Sequence, residues 1–293
     1  MAVIKKSPAE RFGEAVNMVL LAALAIVMLY PMWYELCLSF SSANLVAKHR
    51  GLLLWPLDFT TVPYEMVFSE QNILRGFRNT MFVLVVGLSF NLVLTSLGAY
   101  FLSRKNVLWF KPVMVLFLIT MYFGGGLIPT WLNVKNLGLY NTLWALVIPN
   151  AISTFNMILL RSYFTSIPDS LVESVFVDGG GHFVTLFKIV IPLSLPAMMV
   201  MILYYGVGHW NSWFDAFIYL RTETLWPLQM VLRDFLIAGT ELDTKYEEAI
   251  NTEQLQETAK AAIVIVTTLP ILAIYPFLQK YFVSGLMVGS LKG

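Results

Sequence analysis

Residues 173–196 read ESVFVDGGGHFVTLFKIVIPLSLP, a short polar stretch between two strongly apolar ones. Ahead of it, Pro168-Asp169-Ser170 supplies a helix start, and Leu171–Val177 has room for about two helical turns. Gly179, Gly180 and Gly181 then end that helix, because three glycines in a row lose too much backbone freedom to stay helical. Phe183, Leu186, Phe187 and Val190 recur at helical spacing and open a second helix. Pro192 and Pro196 fall where that helix enters the next apolar run. The expectation is a helix–turn–helix hairpin between two membrane spans. A hairpin this regular reads as a surface to be gripped by a partner; the plainer reading is an ordinary connection between spans.

The composition around the hairpin sets the class. Of 293 residues, 58% are hydrophobic and 13% charged, where a soluble domain carries about 25% charged. The chain is an all-α polytopic membrane protein. Six spans are expected, at about Ala15–Leu38, Asn79–Leu102, Pro112–Leu132, Thr142–Leu160, Ile189–Val207 and Ala261–Leu278. The third is interrupted by Gly124-Gly125-Gly126 and Pro129, the fourth by Pro149. The uncharged run Ala15–Tyr34 follows Lys5, Lys6 and Arg11 and has no clear cleavage site after it, so it reads as a retained first span rather than a signal peptide.

Ten of the 19 basic residues fall on the side of the N-terminus, the Arg104–Lys111 turn, the hairpin and the tail. That raw split is nearly even, but the positive-inside rule is read on short loops. The short turn with Arg104, Lys105 and Lys111 therefore places both termini, and the hairpin, in the cytoplasm. The net charge of +1 suggests no nucleic-acid partner. Cys37 is the single cysteine and cannot form an internal disulfide.

Other stretches carry two readings each. Leu225, Leu228, Val231, Leu232, Phe235 and Leu236 in the long outer loop 208–258 form one apolar helix face. It lies on the membrane surface or packs on the outer ends of spans, or it is a lip that meets a delivery protein, and the two readings are compatible. Tyr204, Tyr205, His209, Trp210, Asn211 and Trp213 cluster at the end of the fifth span. They are either an interfacial aromatic belt or part of a substrate path, where aromatic faces stack on sugar rings. Asn91, Asn150 and Asn156 lie inside spans, where amides face protein or a water-filled path. His49, His182 and His209 stand too far apart for a metal site, and no phosphate-binding loop of the form Gly-x-x-x-x-Gly-Lys-Ser/Thr is present. The chain should not hydrolyse ATP. An ion-coupled secondary transporter or channel stays open as an alternative, and a membrane-embedded enzyme less so, since the spans hold almost no convergent ionisable groups.

Glu173, Gly179, Ile189 and Pro192 stand at the spacing of a known loop signature, Glu-Ala-Ala, three residues, Gly, nine residues, Ile, one residue, Leu-Pro. Ser174 and Val175 in place of the two alanines and Ile191 in place of the leucine are soft departures from it in size. The chain thus resembles the permease subunits of binding-protein-dependent ABC importers. Asn79–Arg104, Leu137–Phe164 and the tail Tyr281–Gly293, YFVSGLMVGSLKG, resemble the carbohydrate, maltose-type branch, and within it the permeases of alginate oligosaccharide importers. The likeness runs over about Arg75–Gly293.

That resemblance implies a type I ABC importer permease fold with a cytoplasmic coupling helix, working by alternating access. It implies an N-terminal addition over 1–74, a permease core over 75–280 with the coupling hairpin at about 168–190, and a cytoplasmic tail over 281–293. Glu173, Ser174, Asp178, Gly179, Gly180, Ile189 and Pro192 become the ATPase-coupling residues, with Phe183, Phe187 and Ile189 holding the hairpin to the bundle. Gly289–Gly293 would reach towards the ATPase. Asn150, Asn156, Tyr204, Tyr205, Trp210, Asn211 and Trp213 become the substrate path. The implied partners are a non-identical sister permease, two ATPase subunits that bind the ATP and Mg, a periplasmic or lipid-anchored binding protein, and an oligosaccharide. The chain itself would bind no cofactor and would sit in the bacterial cytoplasmic membrane.

Overall fold

The computed structural model describes residues 7–104, 107–238 and 252–290. Lys5, Lys6, Lys105, the acidic part of the outer loop at 239–251 and the end of the tail lie outside the described residues, so the expected reach of Gly289–Gly293 does too. The chain divides into two compact units.

The first unit holds α1 (Pro8–Ser39), α2 (Ala43–Val46), α3 (Val62–Ser69) and the first half of the last helix. Ser7 and Glu10 start α1 as a reciprocal capping box: Glu10 N–H donates to Ser7 Oγ at 3.2 Å and Ser7 N–H to Glu10 Oε2 at 2.8 Å. Pro8 follows at the first helical position, where its missing N–H costs nothing. At the other end Cys37 and Leu38 bury against Leu53. The Trp33 indole donates to the Leu54 carbonyl at 2.9 Å, and Phe40 stacks on Phe59.

The second unit is arranged around α4 (Gln71–Ser103). Its 33 residues give it a length of about 50 Å at 1.5 Å per residue. Along the chain come α5 (Phe110–Tyr122), α6 (Leu127–Asn136), α7 (Trp144–Val147), α8 (Thr154–Thr165), α9 (Asp169–Val177), α10 (His182–Thr185), α11 (Ile191–Leu193), α12 (Leu195–Trp210), α13 (Phe214–Tyr219) and α14 (Leu228–Arg233). The last helix, α15 (Thr252–Ser290), is shared by both units. A wider π turn, Leu186–Val190, joins α10 to α11.

Among the described residues, α1, α4 and Leu255–Ile274 of α15 are each long and apolar enough to cross a membrane; counting each bent pair as one span gives five. The expected third span is such a pair, α5 and α6, bent by 113° at the three glycines. Gly126 sits there at φ +85°, which a side chain would resist. The expected fifth span is another, bent by 85° at Ser194. The expected fourth span is built as α7 and α8 on either side of Pro149.

Two cores brace α4. One joins its Ala99 and Leu102 to Met157, Leu160, Phe164, Leu186, Val190 and Met201. The helices close up here because residue 98 is glycine: a Cβ would lie 2.6 Å from Met157 Sδ. The other joins Val83 to Ala145–Val147, Ala216, Tyr219 and Met230. The outer-loop helix α14 packs on α4 as the first of its two readings expects. Leu228 N–H donates to Thr80 Oγ1 at 2.8 Å, and Asn79 Nδ2 donates to the Thr224 and Trp226 carbonyls at 2.9 and 3.1 Å.

Candidate functional site

The hairpin follows from local backbone chemistry. At the end of α9, Gly180 N–H donates to the Val175 carbonyl at 2.7 Å and Gly179 N–H to the Phe176 carbonyl at 3.1 Å. This pair of bonds is a Schellman closure, which needs a left-handed residue. Gly179 supplies it at φ +79°. Gly180 is needed for a different reason: a Cβ there would lie 2.5 Å from Val175 Cγ1 and 2.9 Å from its carbonyl oxygen.

Both arms of the hairpin are tied to the last turn of α4 and the residue that follows it. Tyr100, buried, shares a 3.2 Å hydrogen bond with His182 Nδ1, and Phe176 meets the His182 ring edge-on at 5.0 Å. Arg104 lies over the Tyr100 ring at 5.0 Å and 3.9 Å from the Asp169 carboxylate. Glu173, Ser174 and Asp178 are all exposed at the tip, beside Val177, which is 86% exposed. Pro192 is exposed and Ile189 half-buried.

One expectation is corrected here. Phe183 and Phe187 are 71% and 52% exposed and do not hold the hairpin to the bundle. Leu186 and Val190, fully buried, do so. Phe183 and Phe187 share the face that points outwards, four residues apart.

The second assembly is an open cleft of about 400 Å³ beside α12, lined by Asn150, Asn156, Tyr204, Tyr205, His209, Asp215 and their neighbours. Asn91 on α4 fixes its wall. Its Nδ2 donates to the Asn150 and Ala151 carbonyls at 2.8 and 3.0 Å. Its Oδ1 is then the acceptor facing His209 Nε2 at 2.6 Å, so that nitrogen carries the proton. The ring fits only because residue 87 is glycine, where a Cβ would come 2.6 Å from Nε2. Tyr205 OH accepts from Ser153 N–H at 2.9 Å and bonds Thr95 Oγ1 at 2.7 Å. Asn150 Nδ2 donates to Asp215 Oδ2 at 2.8 Å, tying the break at Pro149 to α13. Burial, with the Asp215 carboxylate nearby, pushes the Tyr219 phenol up.

The cleft brings together Asn150, Asn156, Tyr204 and Tyr205 of the expected path. Trp210 turns the other way, into an apolar groove of about 180 Å³ with Leu84, Leu88, Ile202 and Ile271, and its ring meets Phe77 edge-on at 6.4 Å. Asn211 is exposed beyond it, and Trp213 lies under Arg233 at 5.6 Å. Asp215 was not among the sequence candidates. It sits in a loop whose helix α13 has only six residues, too short to announce itself by periodicity.

No protein-family model matches the chain. It is 38% identical to the polygalacturonan/rhamnogalacturonan transport system permease protein YtcP of Bacillus subtilis, over 92% of this chain and 94% of the relative. In structure it superposes with a TM-score of 0.90 and 32% identity on a chain of a bacterial ABC transporter involved in the import of the acidic polysaccharide alginate, covering 96% of this chain and all of that one. A chain of a bacterial alginate ABC transporter solved with an alginate pentasaccharide-bound periplasmic protein shares the fold alone, at a TM-score of 0.53 and 14% identity over 92% and 93% of the two chains.

Proposed function

The chain belongs to the permease subunits of sugar ABC importers, and from that premise we propose that it forms half of the path for an acidic oligosaccharide and takes its driving force from a separate ATPase through the 173–192 loop. It is a multi-pass membrane transport subunit without an ATPase site of its own. The secondary-transporter, channel and membrane-enzyme alternatives fall with that membership.

The observation that carries the coupling assignment is the hairpin's build. A rigid, glycine-closed tip exposes Glu173, Ser174, Asp178 and an apolar knob at Val177, and both arms are tied to the end of α4. A partner that moved this tip would move α4. The same helix carries Thr95 and Asn91 of the cleft, roughly one and a half to two and a half turns from Tyr100. The outer loop sits on the opposite end of α4, at Asn79 and Thr80. Alternating access then needs α4 and α12 to shift against each other across the Asn91–His209 and Thr95–Tyr205 bonds.

The acidic-sugar reading is supported by the substrates of the relatives, a galacturonan and alginate. The full assembly would comprise this chain, a non-identical sister permease, two ATPase subunits holding ATP and Mg, and a binding protein of the kind seen with the alginate transporter. Residues 75–280 would be the permease core, 1–74 an addition and 281–293 a cytoplasmic tail, with both termini in the cytoplasm. The test is ATPase stimulation of the reconstituted assembly by alginate, galacturonate and maltodextrin oligosaccharides, each with its binding protein. Stimulation by the acidic sugars supports the reading. Stimulation by maltodextrins alone overturns the acidic-sugar assignment, and no stimulation overturns the transport path.

A further inference from the structure

The cleft can be sorted into groups already engaged and groups left over. Tyr205 OH is taken up by Thr95 and Ser153, and His209 Nε2 by Asn91. Those residues shape the cleft. Asn150 gives its amide N–H to Asp215 Oδ2, which leaves the Asn150 side-chain carbonyl and Asp215 Oδ1 without a protein donor among the described residues. Both residues line the open cleft, and Asp215 is the one formally charged residue among its described lining. Tyr204, 39% exposed, presents a phenol ring and hydroxyl to the same space.

Two neighbouring acceptor oxygens ask for two neighbouring donors. Resting on the sugar-importer reading above, we propose that the Asp215–Asn150 pair is a saccharide subsite that accepts hydrogen bonds from the vicinal O2–H and O3–H of a pyranose. In a 1,4-linked uronate these hydroxyls lie on one edge of the ring and the carboxylate on another. A carboxylate at Asp215 draws the hydroxyl edge in and repels the sugar's own carboxylate. This chain therefore reads hydroxyls, and the negative charge of the substrate faces away from Asp215. The pairing also accounts for the absence of any cation in the described lining of the cleft.

A purely structural role for Asp215, joining the Pro149 break to α13, is the rival. Blocking the hydroxyls separates the two, because a site built to pair with a hydroxyl rejects the analogue that cannot donate. The probes are mannuronate tetrasaccharides, plain and acetylated at O2 and O3, assayed by ATPase stimulation of the full reconstituted assembly with one binding protein throughout. In the wild type, the acetylated sugar needs a concentration higher by about tenfold for half-maximal stimulation, the worth of hydrogen bonds to a charged group. In Asp215→Asn the gap closes to about twofold, through loss on the plain sugar, and Asp215→Glu restores part of it. The gap is a ratio within one preparation, so a lower yield of folded protein cancels. An unchanged gap in Asp215→Asn, or no gap in the wild type, overturns the subsite and leaves the importer reading standing. No stimulation by either sugar overturns the alginate arm of the acidic-sugar reading and the mannuronate subsite with it.

Discussion

The hairpin and the cleft sit at two levels of the same helix and are built in opposite ways. Inside the hairpin, the bonds that set its shape join residues three to five apart: Gly179 to Phe176, Asp178 to Ser174, Gly180 to Val175. Around the cleft, the bonds join residues 52 to 118 apart, Ser153 to Tyr205 at the near end and Asn91 to His209 at the far end. The hairpin is therefore a device that the local chain makes by itself and then fastens to α4. The cleft exists only once α4, the Pro149 break, α12 and α13 have come together. A polar cluster of that kind is cooperative, since each amide and hydroxyl is satisfied by a different element.

The comparison predicts separable damage. The largest effect belongs to Asn91→Ala. It leaves the buried His209 N–H without a partner, at about 1–3 kcal/mol, and takes the donor from the half-buried bonds to the Asn150 and Ala151 carbonyls as well. Thermal unfolding in detergent should drop clearly, and sugar stimulation should vanish while the ATPase still copurifies. Loss of ATPase copurification as well would mean that the two regions are not separable. Gly180→Val is the reverse experiment. The new Cβ lies 2.5 Å from Val175 Cγ1, an overpacking that costs about 1–3 kcal/mol. Copurification of the ATPase should fall while the cleft's fold persists; a full ATPase complement would show that the tip tolerates distortion. The smallest effect is expected of Asp169→Asn. Its partner Arg104 is 3.9 Å away and the carboxylate is 72% exposed, so the pair contributes at most about 1 kcal/mol. Uptake should stay within about twofold of the wild type. A larger fall would make this ion pair, rather than Tyr100–His182, the main fastening.

The same contrast explains what the sequence could reveal. Three glycines after two helical turns announce a closed helix end, and Gly179 and Gly180 fill the two roles a Schellman closure requires. The apolar runs announce the spans, and Gly124–Gly126 announces a break, but the 113° size of the bend is not written in the composition. Helical spacing puts Phe183 and Phe187 on one face with Leu186 and Val190, yet the two phenylalanines are exposed where Leu186 and Val190 are buried. The π turn at Leu186–Val190 also shifts the register that a 3.6-residue period assumes. In the cleft, Asn150, Asn156, Tyr204 and Tyr205 could be picked out by polarity inside apolar runs. Their partners could not. Nothing local says that Asn91 faces His209, that Gly87 exists to seat its ring, or that Trp210 turns away into an apolar groove.

The central claim is that force enters at the hairpin and is used at the cleft. The most direct test is the ratio of oligosaccharide taken up to ATP hydrolysed in proteoliposomes, compared between the wild type and Glu173→Lys, which reverses one exposed charge at the tip. The account predicts that the ratio falls by about tenfold or more, as expected when a charged contact in a partner's cleft is replaced by repulsion, with the variant inserted and its cleft intact by thermal unfolding. A wild-type ratio in Glu173→Lys would contradict it.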